Sequence, residues 1–83
     1  MEVFNYDKLR GRIREIYGTE ARFARALGIG RVSLSKRLNN TVDFTRTEIF
    51  VACELLGIAP GDIATYFFTR EVQKREQSPS PNI

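Results

Sequence analysis

The stretch that most constrains the fold is Thr19 to Asn40, TEARFARALGIGRVSLSKRLNN. Its spacing calls for two short helices joined by a very tight turn. Thr19 is a good N-cap, since its hydroxyl can accept from a free first-turn amide. Phe23, Ala24 and Leu27 then form one apolar stripe with a small residue at its centre. Gly28 stands where helices often end in a left-handed residue that only glycine adopts without cost. Ile29 is a lone apolar residue in the turn, and Gly30 opens the next helix. That helix, Arg31–Asn39, carries Leu34 and Leu38 on its inner side. Arg31, Val32, Ser33, Ser35, Lys36, Arg37 and Asn39 occupy its other positions, and none is acidic. Such a face suits contact with a polyanion.

Ala24, Gly28, Ile29 and Leu34 at these spacings meet the needs of a helix-turn-helix. Two helices crossing steeply require a methyl-sized residue at the crossing, a glycine in the turn and an apolar plug to seal it. The stretch FARALGIGRVSLSKRLNN resembles the phage repressor and Cro type of helix-turn-helix, within the xenobiotic-response-element family. A similar pattern continues into FTRTEIFVACELLGI, so that Tyr6 to Phe68 looks like a small phage Cro/CI-like repressor. The resemblance implies an all-α, compact, four- to five-helix lambda-repressor-like DNA-binding domain, with the helix-turn-helix at helices 2–3.

The flanking sequence agrees with that order. Asn5 can cap a first helix over Tyr6–Tyr17, in which Leu9, Ile13, Ile16 and Tyr17 recur on one side. Arg10, Arg12 and Arg14 read as a solvated face, and Gly18 ends the helix. Glu20–Leu27 is the second helix. After a turn-rich loop, Thr45 and Glu48 form a capping box for a fourth helix running to about Leu56. Ile49, Ala52, Cys53 and Leu56 point inward there, and Gly57 stops it. Pro60 suits the first position of a short fifth helix carrying Ile63, Tyr66, Phe67 and Phe68. Thr69 onward is open between helix and strand, because Tyr, Phe, Thr and Val also favour extended structure. Residues 1–70 are thus expected to form the domain. Residues 71–83, ending QSPSPNI, are expected to be a partly disordered extension.

Composition narrows the function further. Eighty-three residues suit one domain. Residues 1–40 hold nine Lys/Arg against four acids, whereas residues 41–83 hold four against six. The helix-turn-helix therefore lies in the basic half, as phosphate binding would want. With one cysteine and no histidine, the sequence offers no zinc spacing and no nucleophile beside a base. No cofactor, metal, small-molecule ligand or enzymatic activity is expected, and Cys53 reads as a small buried hydrophobe. No apolar run reaches membrane-spanning length and the start is unlike a signal peptide, so a cytoplasmic location is expected.

The resemblance places the helix after GIG in the major groove, where base edges display a unique donor and acceptor pattern. Arg31, Val32, Ser33 and Lys36 are its candidate base readers. Arg22, Asn39, Asn40, Thr45 and Arg46 fall at the motif's flanks, where the family grips phosphates. Many members carry Gln at the place of Glu20, and a carboxylate would be repelled by phosphate. Glu20 is left to serve the helix dipole or to pair with Arg31. The expected function is a sequence-specific transcriptional regulator, a Cro-like repressor on a double-stranded operator. Dimerisation on a two-fold site is expected, with Tyr66, Phe67, Phe68 and Val72 as candidate surface. The absence of a following domain favours Cro-like over full-length CI-like. A protein-interaction module on the same fold, such as a phage modulator or antitoxin, is the competing expectation.

Overall fold

The computed structural model describes residues 3–71, and its helices follow the sequence pattern closely. They are α1 (Asp7–Tyr17), α2 (Glu20–Leu27), α3 (Arg31–Leu38), α4 (Arg46–Leu56) and α5 (Ile63–Phe67), the last entered by a 3-10 turn at Pro60–Asp62. Helix α1 starts one residue later than the sequence suggests. The Asn5 side chain accepts from the Asp7 amide at 2.8 Å, which holds Tyr6 outside the helix as its cap residue. Thr45 and Glu48 cap α4 reciprocally, each at 3.0 Å. Gly28 takes the left-handed conformation at φ 90°, and the amides of Gly28 and Ile29 both donate to the Ala24 carbonyl. This is how the chain reverses in so few residues.

Helix α2 packs against α1, α3 and α4, so the helix-turn-helix is built into the centre of the bundle. Phe23, Ala24, Leu34 and Leu38 from the motif are buried together with Leu9, Ile13, Ala52, Leu56 and Phe67. Ala24 supplies the small residue buried within the motif, as the sequence expects. Ile16 departs from the expected inward stripe and is 46% exposed. Cys53 is buried, and burial pushes its thiol pKa up, away from reactivity.

From Thr69 to Glu71 the chain is extended rather than helical, and residues 72–83, expected to belong to a partly disordered extension, lie outside the described residues. Thr69 and Glu71 pair antiparallel with Asn5 and Val3 through bonds of 2.7 and 2.8 Å. Asn40, with φ 65°, holds this edge from the other side. Its side chain accepts from the Phe4 amide at 2.8 Å and donates to the Phe4 carbonyl at 2.9 Å. Above this edge, Phe4, Tyr6, Phe44, Phe67 and Phe68 form a chain of tilted and edge-on rings.

Arg37 joins α3 to α4. Its Nε and Nη2 donate to the two Glu48 carboxylate oxygens at 2.8 and 3.0 Å, and both side chains are only 15% exposed. The Arg37 hydrogen bonds, helped by the Thr45 amide, hold the Glu48 carboxyl below its ordinary pKa of 4.5. A carboxylate lowered on folding contributes its full stability above the ordinary value and loses it as pH falls through the folded value. Acid titration should therefore weaken the wild type below pH 4.5, and Glu48→Gln should flatten that part of the pH–stability curve. An acid slope left unaltered by Glu48→Gln would show that Glu48 does not carry it.

Candidate nucleic-acid interface

Burying Leu34 and Leu38 fixes the rotation of α3, and so decides which of its residues face outward. Arg31, Val32 and Lys36 are exposed on the outer side, with Val32 at 65%. Ser33 is half-buried, and its carbonyl accepts from Arg37 Nη1 at 2.9 Å. Three of the four candidate readers thus share an open ridge and the fourth lies at its edge. Arg37, which the sequence places on the same polar helix, is turned away to Glu48.

Beside the ridge runs a cleft of about 760 Å3, bounded by α1, the start of α2 and the start of α3. Arg31, Val32 and Ser35 line one wall; Arg10, Arg14, Thr19 and Glu20 line the other. Arg10 and Arg14 are absent from the sequence-based candidates, because charged helix faces read as solvated. Their spacing of four, which puts both on one side of α1, is the signal that could have found them. Glu20 pairs with Arg10, at 2.8 Å, and not with Arg31. Arg10 is a brace rather than a free charge: its Nη2 also donates to the Leu38 carbonyl and to Asn39 Oδ1. Arg12 likewise donates to the Leu56 carbonyl at 2.9 Å and closes the end of α4.

The candidate phosphate residues divide into two groups. Arg22 and Arg46 are exposed, at the start of α2 and of α4. Asn39, Asn40 and Thr45 are committed within the protein. Asn39 bonds Arg10 and Ser35, Asn40 holds Phe4, and Thr45 caps α4. Of the expected dimer surface, Phe67 is buried at 1% exposure and belongs to the core. Tyr66 is half-buried beneath Lys8, whose Nζ lies 5.7 Å from the ring centre. Phe68 is exposed, and Val72 lies outside the described residues.

Among the described residues, no group of three His, Cys, Asp or Glu side chains is placed to hold a metal ion. No single helix among them is long and apolar enough to cross a membrane.

Among the described residues, five helices around one core, with a helix-turn-helix at the second and third and the outer face of α3 open, define a small lambda-repressor-like domain. Residues 2–70 match the family DUF739, described as a protein of unknown function, and the chain belongs to that family. Among solved structures it is similar to the modulator of repression (MOR) of the temperate bacteriophage TP901-1 from Lactococcus lactis. The two are 37% identical with a TM-score of 0.72, over 84% of this chain and 95% of the other. A search among curated proteins returns no match. The kinship is with a phage regulatory protein; it does not single out the Cro/CI type.

Proposed function

We propose that this chain is a regulator in a phage repression switch and acts through duplex DNA, with α3 laid in the major groove. The observation that carries this reading is the acid-free ridge of Arg31, Val32 and Lys36, exposed over buried Leu34 and Leu38. Arg31 would take a guanine edge through two parallel bonds, and Val32 would pack on a thymine methyl. Lys36 and Ser33 add a further base or backbone contact. Arg22 and Arg46 supply phosphate contacts, which position the protein without reading sequence. Asn39 and Thr45 contribute where their outer atoms remain accessible, and Asn40 through the loop it shapes. One such domain covers a short half-site, so two copies on a two-fold operator supply the specificity. The regulator acts in the host cytoplasm and needs no cofactor or catalytic activity.

Selection of bound duplexes from a random pool, followed by footprinting, tests this directly. An enriched palindrome supports the reading; recovery of sequences no better than scrambled DNA overturns it. Arg46→Ala should weaken all duplexes alike and lower the slope of log affinity against log salt by about one unit. A slope unchanged from wild type removes Arg46 from the phosphate contacts.

The similarity to a modulator of repression favours a second reading, in which the target is a repressor protein. Val32, 65% exposed amid charged neighbours, is an apolar group that a protein partner would also bury. This reading expects the chain to lift a repressor from its operator without binding the operator itself. Gel shifts with operator and repressor, each alone and together, separate the two.

A further inference from the structure

Arg10 reaches both ends of the helix-turn-helix. Its Nη1 donates to Glu20 Oε2 at 2.8 Å in the first turn of α2. Its Nη2 donates to the Leu38 carbonyl at 3.3 Å and Asn39 Oδ1 at 3.1 Å at the end of α3. Glu20 also lines the cleft beside Arg31, on the side from which a duplex would approach. A bare carboxylate there would repel the DNA backbone and cancel part of the attraction of Arg31 and Arg14.

We infer that Arg10 is a positioning residue for duplex binding, masking the charge of Glu20 while tying the start of α2 to the end of α3. The inference rests on the DNA reading above. Its physical content lies in charge: Arg10 and Glu20 together sum to zero. Removing Arg10 alone uncovers an anion in the cleft, while removing both charges leaves the net charge of the face unchanged. A brace acting through shape alone would behave in the opposite way, because deleting the second partner cannot rebuild it.

The test is a cycle of Arg10→Met, Glu20→Gln and the double variant in the full chain. Affinity is measured for a mixed-sequence duplex across a range of salt. Arg10→Met should weaken binding about tenfold or more, the size expected of a like-charge juxtaposition. The double variant should bind within about threefold of wild type, in keeping with a partly exposed pair. Glu20→Gln, which leaves the Arg10 cation uncovered, should bind at least as tightly as wild type. The double variant should also keep the wild-type salt slope. Arg10→Lys, which retains the cation without the planar fork, guards against loss of folding and should bind within about threefold as well. A double variant as weak as Arg10→Met overturns the inference, as does an Arg10→Lys variant that folds but binds no better than Arg10→Met. A wild type with no salt-dependent affinity for duplex overturns the DNA reading and this inference together; failed rescue in a binding wild type overturns the inference alone.

Discussion

Phe23→Ala is expected to lower the folding free energy by about 3–5 kcal/mol, the loss typical of removing a fully enclosed aromatic ring. Phe23 has no exposed surface, and its ring packs 5.5 Å from that of Tyr17. It projects from the helix that touches α1, α3 and α4, so the cavity would open where three interfaces meet. Native domains hold only roughly 0.05–0.15 kcal/mol per residue. For a chain this short that is about 4–12 kcal/mol in all, so a loss of this size would remove a large share of its stability. Urea denaturation is the measurement, with the midpoint falling sharply while the slope stays constant. A loss below about 1 kcal/mol would mean that the neighbours collapse into the space and that the motif is not the centre of the core. Val32→Ala on the exposed ridge should change stability by no more than about 0.5 kcal/mol.

Arg31→Ala should leave folding intact and cost about 1–3 kcal/mol of binding to the selected operator, with relaxed base choice at one position. Among the described residues no hydrogen bond or ion pair holds the Arg31 side chain, so its removal breaks none inside the domain. Competition between operator and scrambled duplex is the decisive readout. If both affinities fall equally, Arg31 contributes charge alone and is not a reader. If neither falls while displacement of a repressor is impaired, the ridge belongs to a protein interface and the second reading takes its place.

How much of the fold is legible in the residues follows from the range of the forces involved. Capping at Thr19 and Thr45, the left-handed turn at Gly28 and the apolar spacings are local, and each appears in the fold as read except at Ile16, which the stripe of α1 leaves in solvent. So does the rotation of α3, because burying Leu34 and Leu38 leaves Arg31, Val32 and Lys36 no other direction. Long-range partners are not legible. Nothing local tells that Arg10 spans to Glu20 and Asn39, that Arg37 leaves the polar face for Glu48, or that Asn40 grips Phe4 across 36 positions. For the same reason Asn39, Asn40 and Thr45 look like free phosphate ligands in the sequence but are engaged within the domain. Phe67 and Phe68 differ by one position, yet one fills the core and the other meets solvent, a choice fixed only by where α5 ends.

The pairing of Val3–Asn5 with Thr69–Glu71 brings two distant stretches of chain to lie abreast, with the roughly 5 Å separation of neighbouring strands. A linker of a few residues joining Glu71 to Val3 would therefore close the described residues into a ring without bending any helix. Such a ring could be reopened at an exposed turn to give a permuted chain whose helices come in a new order around the same core. The architecture depends on which helices touch, and the order in which they are synthesised is free to change.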